Sequence, residues 1–184
     1  GVVHYGPPAS SFEAVAKFGH SVSEHHYQAA AGLPPLQEAL RTKHLSENRI
    51  LLGDDRVLMV TAGSNMAFYH ALLASCDPGD EVVIMAPFYF NHEMAIGMAN
   101  CKAVLVDTDA QYQLRLDAIE AAITAHTRAI ITISPNNPSG NIVSEAQIRG
   151  MLDTGLLVVV DEAYYEFCGE TAIPLVEEYP NLVV

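Results

Sequence analysis

The residues best suited to chemistry stand directly after apolar runs. Asp161-Glu162-Ala163-Tyr164 follows Leu156–Val160, and Ser134-Pro135-Asn136-Asn137-Pro138-Ser139-Gly140 follows Ala129–Ile133. A carboxylate so placed is expensive to bury unless a cation or a hydrogen-bond donor meets it. A protonated pyridine nitrogen would satisfy Asp161 and become a better electron sink, with Tyr164 donating to a ring oxygen. The plainer alternative has Asp161 capping the next segment and Tyr164 packed beside it. In the other loop the prolines fix a turn on which Asn137 presents an amide able to donate to a phenolic oxygen or a carboxylate; the alternative is an ordinary Asn-Pro turn closed by Gly140.

Two further loops carry candidates. Thr61-Ala62-Gly63-Ser64-Asn65 lies between an apolar run and a helical pattern. Gly63 allows close backbone approach, Ser64 supplies a hydroxyl, and the following helix offers free N–H groups to an anion, so the segment could cradle a phosphate. Ser64 or Asn65 could equally be the cap of that helix. Ala86-Pro87-Phe88-Tyr89-Phe90 brings rings that either cover an aromatic cofactor face or pack at a sheet edge.

Positioning these loops requires an alternation of strands and helices. Short apolar runs predict strands at Val57–Val60, Glu81–Met85, Lys102–Val106, Ala129–Ile133 and Leu156–Val160, with helices near Asn65–Ser75, Asn91–Ala99, Arg115–Ala125 and Glu145–Leu152. Runs such as Leu156–Val160 do not alternate in polarity, which suits strands covered on both faces. The expected fold is α/β, a mostly parallel sheet with helices on both sides. Residues 1–33 read as an irregular arm with a short helical segment near Phe12–Lys17, and an entry helix that starts at Pro34 or Pro35 completes the first part, 1–45. Asn181–Val184 reads as a strand that has barely begun, an expectation of truncation.

Composition narrows the partners. Across 184 residues, nine Lys and Arg face 22 Asp and Glu, a net charge of −13 that repels nucleic acid and anionic membrane surfaces. The apolar runs are too short and interrupted for a membrane span. Cys76, Cys101 and Cys168 are widely spaced and odd in number, which favours buried thiols in a reducing, cytoplasmic setting. His20, His25, His26, His44, His70, His92 and His126 are scattered without ligand spacing, so no metal site is expected and bland readings are preferred for each.

Taken in order, Tyr27–Leu40, Thr61-Ala62-Gly63-Ser64, Pro87-Phe88-Tyr89, Asn137-Pro138-Ser139-Gly140 and Asp161-Glu162-Ala163-Tyr164 make the chain resemble the N-terminal half of a fold-type-I, pyridoxal-phosphate-dependent aminotransferase of class I/II. The ordered set is far more specific than any one member, and the similarity spans nearly the whole chain. The resemblance implies a three-layer α/β/α large domain over residues 46–184, preceded by an arm and entry helix at 1–45 that belong to the small domain and the dimer contact. It implies a phosphate anchor at Ala62, Gly63 and Ser64, ring stacking by Tyr89, Asn137 and Tyr164 at the ring oxygen, and Asp161 at the pyridine nitrogen. Tyr27 would reach the phosphate of the neighbouring subunit's cofactor, which implies a homodimer, while Gly6 and Asn137 would line the substrate.

The implied activity is transfer of an amino group between an amino acid and a 2-oxo acid. The family's Schiff-base lysine has no counterpart among Lys17, Lys43 and Lys102, the chain's three lysines. The substrate-carboxylate arginine of the family is likewise expected in a later segment. Alternatives are a noncatalytic cofactor-binding or assembly fragment, and a lyase or decarboxylase of the same fold. The Asp161–Val184 region looks like histidinol-phosphate aminotransferases, whereas Tyr27–Gly32 looks equally like the aspartate-aminotransferase group. The helix at Glu145–Leu152 is about a turn shorter than the family usually carries, and Gly150 weakens it further.

Overall fold

The computed structural model describes residues 4–53 and 56–184, in two contact units, Gly1–Thr61 and Ala62–Val184. In the first unit, α1 (Ala9–Lys17) begins directly after Pro8, and α2 (Pro34–Glu47) opens on two prolines whose fixed φ and missing N–H suit a first helical turn. Between them a 3₁₀ turn at Val22–His25 is closed by a capping box between Ser21 and Glu24. None of these three elements buries a residue.

The strand predicted at Val57–Val60 does not form. The Val60 N–H donates to the Ala31 carbonyl at 2.9 Å, and the Gln37 side-chain amide donates to the carbonyls of Ala31 and Leu58. The apolar run is thus pinned to a turn and a helix side chain instead of a ladder. That turn needs glycine at Gly32: its φ is +111°, and a Cβ there would lie 2.6 Å from Val60 Cγ2.

The second unit is a parallel α/β layer structure. Strands β1 (Glu81–Ala86), β2 (Lys102–Asp107), β3 (Thr127–Ile133), β4 (Leu157–Asp161) and β5 (Leu182–Val183) form one sheet in the order β2-β1-β3-β4-β5, every pair parallel. The accompanying helices are α3 (Ser64–Ser75), α4 (Phe90–Met98), α5 (Leu116–Ala122), α6 (Glu145–Leu152) and a single turn, α7 (Tyr165–Cys168).

Strand alternation sends neighbouring residues to opposite faces, and both faces are covered. Val83, Met85, Ile130 and Val158 join Ile119 of α5 and Ile148 and Met151 of α6 in one core. Val82, Ile84, Ala129 and Ile131 join Leu72 of α3 and Ile96 of α4 in the other. At the N-terminal edge of the sheet, Glu81 opposes Lys102 across β1 and β2, accepting from its ammonium at 2.8 Å and from the Thr124 hydroxyl at 2.6 Å.

One helix is shorter than expected and another keeps its expected bounds. α5 stops at Ala122 because the Thr124 N–H turns to the Thr127 hydroxyl instead of continuing the helix. α6 holds its predicted bounds despite Gly150. Ser144 and Gln147 form a capping box at its start, and the missing Cβ of Gly150 admits Leu116 of α5, whose Cδ1 would lie 2.7 Å from it.

Ile130 is fully buried in the middle strand, so Ile130→Ala is expected to destabilise the chain by about 2–5 kcal/mol. Ser144→Ala, which removes only the α6 cap, is expected to cost about 1 kcal/mol. Urea unfolding of both variants checks the order; equal effects would contradict it.

Candidate functional site

In a parallel sheet, ligands collect at the C-terminal strand ends where the strand order reverses. Here the chain passes from β1 outward to β2 and then back across β1 to β3. The ends of β1 and β3 therefore part, and the Pro87–Tyr89 and Ser134–Gly140 loops open around the gap. Asp161 ends β4 next to them.

The three strand ends are tied to one another. The Asn136 side-chain amide donates to the Pro87 carbonyl at 3.1 Å and to the Ser139 hydroxyl at 2.7 Å, and the Ser134 N–H donates to the Asp161 carbonyl at 2.9 Å. Gly140, at φ +77°, returns the loop so that its N–H donates to the Asn136 carbonyl.

A cavity of about 130 Å³ lies inside this frame, lined by Ser64 and Asn65 from the start of α3, Tyr89 and His92 from α4 and its cap, Asn137, and Asp161 with Tyr164. Five of the expected site residues, Ser64, Tyr89, Asn137, Asp161 and Tyr164, thus share one cavity. Ala62 and Gly63 form the turn that leads into α3. Tyr27, fully exposed, and Gly6 belong to the other unit.

Gly63, not Ser64 or Asn65, is the N-cap of α3, with φ +82° and ψ 169°, a region open essentially to glycine alone. Its carbonyl accepts from Met66 and Ala67, which leaves the Ser64 and Asn65 N–H groups no carbonyl within the helix. These donors, the positive end of the helix dipole and the Ser64 hydroxyl make one end of the cavity suited to an anion.

The other end is anionic. Asp161 Oδ2 lies 3.0 Å from His92 Nε2, and Oδ1 accepts from the Ala163 N–H at 2.9 Å. An ionised carboxylate has no proton to give, so Nε2 carries the proton and donates. Burial pushes the Asp161 pKa up, but the His92 hydrogen bond, the Ala163 N–H and the His92 charge outweigh it and hold the carboxyl below its ordinary range. The Ala163 contact closes a local turn, but Asp161 does not cap the next segment: the N-cap of α7 is Tyr164, with no side-chain cap hydrogen bond. The partner from α4 adds to the Ala163 N–H in holding the carboxyl below its ordinary range as it faces the cavity.

His92 is the functional residue the sequence reading passed over. It is 3% exposed, with the Phe68 ring 4.4 Å away and the Tyr89 ring 5.6 Å away and nearly perpendicular. The signal lay in its spacing: Tyr89 is the N-cap of α4, so a residue three positions on returns to the same side. Among the described residues, the Asn137 amide and the Tyr164 hydroxyl take no protein partner while lining the cavity. An anion cradle, an aromatic wall, two unpaired polar groups and a carboxylate suit a phosphorylated pyridine bearing a ring oxygen, so the donor set fits pyridoxal phosphate.

A family model described as Aminotransferase class I and II matches residues 1–184. The chain is 40% identical over 123 residues to the histidinol-phosphate aminotransferase of Dehalococcoides mccartyi, covering 67% of this chain and 34% of that protein. It is 37% identical over 148 residues to an aspartate aminotransferase of Rhizobium meliloti, covering 77% and 36% respectively. Among solved structures, the aromatic aminotransferase of Pyrococcus horikoshii OT3 matches with a TM-score of 0.69 at 32% identity, covering 77% of this chain and 40% of that one. The chain spans little more than a third of the length of the two curated relatives.

A Cβ at Gly63 would meet no atom within 4 Å, so Gly63→Ala is expected to lose stability only through its backbone conformation, by about 1–3 kcal/mol, read by urea unfolding. The Asp161 pKa is depressed in the folded state, so its contribution is complete above the unfolded carboxylate range, about 3.9, and is lost as pH falls through the folded value. The stability gap between wild type and His92→Ala is therefore expected to be widest near neutral pH and to narrow in acid. Unfolding curves at a series of pH values check this; a gap that widens in acid contradicts it.

Proposed function

The chain belongs to the class I and II aminotransferases, and from that premise we propose that the protein moves an amino group between an amino acid and a 2-oxo acid, with pyridoxal 5'-phosphate held where β1, β3 and β4 end. The cofactor, when bound, supplies a carbonyl carbon that exchanges with amines and a conjugated ring that takes up negative charge. The observation that carries the reading is a carboxylate hydrogen-bonded by His92 at one end of a cavity whose other end is a helix N-terminus with no helical carbonyl for its first donors.

Each residue has a defined task in this reading. Asp161 holds a proton at the pyridine nitrogen, and His92 keeps Asp161 ionised and aimed. Asn137 and Tyr164 donate to the ring oxygen, with Asn137 also beside the substrate. Tyr89 covers a face of the ring and excludes water from it. Ser64, with the backbone of Ala62 and Gly63, takes the phosphate.

Lys102, the one lysine in this unit, sits at the start of β2 and pairs with Glu81, at the opposite end of the strands from the cavity. The lysine that joins the cofactor covalently is therefore assigned to no residue of this unit. Tyr27 is assigned to the phosphate of a neighbouring subunit's cofactor and Gly6 to the substrate, which makes the working form a homodimer, with residues 1–45 as arm and entry helix and 46–184 as part of the cofactor-binding domain. We place it in the cytoplasm. Among the described residues no helix is long and apolar enough to cross a membrane. Relatives named for histidinol phosphate and for aspartate match comparably, so the substrate is assigned as an amino acid without further choice.

Calorimetric titration of the 184-residue chain with pyridoxal phosphate is expected to show saturable binding. Asn137→Ala should weaken it roughly tenfold, the value of one hydrogen bond to a charged or polar ligand group. Asp161→Asn should in addition lower amino-group transfer by the enzyme on the order of 10²-fold, measured with an amino acid and 2-oxo acid pair. No saturable binding by the wild-type chain would sink the reading.

A further inference from the structure

Tyr89 carries a hydroxyl that ring stacking does not require. The Asn91 side-chain amide donates to it at 2.6 Å. Asn91 is the second residue of α4, it makes no cap hydrogen bond, and its side chain has no other hydrogen bond among those described. A half-buried phenol and a half-buried amide are thus each satisfied by the other, the phenol on a ring that lines the cavity and the amide on a residue outside that lining.

The aromatic contacts of the Tyr89 ring are edge-on. Phe90 lies 5.2 Å away at 61° and His92 5.6 Å away at 85°. Such contacts fill space beside the ring but leave the direction of its long axis, set by rotation about the Cα–Cβ bond, free to swing within its rotamer well. A hydrogen bond to the phenol oxygen, which lies at the tip of that axis, restrains the swing. The backbone at Tyr89 is extended, at φ −74° and ψ 117°, whereas Asn91 lies inside the helix, so the tether runs from the rigid element to the side chain that precedes it.

We propose that Asn91 is a positioning residue that fixes the direction of the Tyr89 ring axis and through it the affinity of the site for the pyridine ring. The proposal rests on the cofactor reading above. Holding the ring before the ligand arrives removes an ordering cost from binding, which is how a group outside the cavity affects affinity.

Pyridoxal phosphate is titrated into the wild-type chain, Asn91→Ala, Tyr89→Phe and the double variant, with binding followed by calorimetry and by the visible circular dichroism of the bound cofactor. Asn91→Ala and Tyr89→Phe should each weaken binding about three- to tenfold and change the dichroic band, and the double variant should be no worse than either. Asn91→Asp, which can accept from the phenol, should restore most of the affinity. Unchanged affinity and dichroism in Asn91→Ala, or full additivity in the double variant, would overturn the proposal even if the melting temperature falls. Lack of binding by the wild-type chain would defeat the cofactor reading instead. The tether is then judged in the cofactor-free chain by the ¹³Cζ resonance of Tyr89: a shift in Asn91→Ala supports it, and an unmoved resonance overturns it.

Discussion

An ionised carboxylate at the end of a buried parallel strand needs a donor, and the hydrogen bond from His92 to Asp161 provides it. Without that bond only the Ala163 N–H would oppose the upward push of burial on the Asp161 pKa, and the anionic end opposite the α3 N-terminus would be weakened. The pair also fixes α4 against the sheet: His92 is buried beneath Phe68 of α3 while reaching β4. One contact therefore joins the helices on one face of the sheet to the strand end that bears the charge.

The placement of the other groups follows from topology. β1 lies between β2 and β3, so the connections leaving β1 and β3 go to opposite sides and cannot close over the gap between them. Tyr89 and Asn137 occupy those two connections. The anion cradle comes from a separate segment, α3, where the positive φ of Gly63 lets the chain turn sharply enough to point the first helical N–H groups inward.

Much of this was readable from residue types. The non-alternating runs at Val82–Met85, Ile130–Ile133 and Val158–Val160 require cover on both faces, and the two cores provide it. Asp161 was legible as a site because a carboxylate after such a run needs a partner, but the partner was not, since His92 lies 69 positions away in sequence. Val57–Val60 has the composition of a strand and none of the pairing; local composition does not reveal that Ala31 and Gln37 take up its polar groups. Gly150 reads as a weak point of α6 in isolation and becomes a packing requirement only when Leu116 is placed beside it.

The ties among the strand ends bear on how the second unit breathes. Asn136 bonds the loop after β3 to the loop after β1, and Ser134 bonds it to the end of β4. Opening any of these connections breaks hydrogen bonds held by the next, so they should exchange their amide protons as one cooperative block and not as independent loops. The start of α3 is outside that block. Its terminal turn can fray without disturbing the others, so the anion-binding end of the cavity would be the first to gain mobility and the carboxylate end the last.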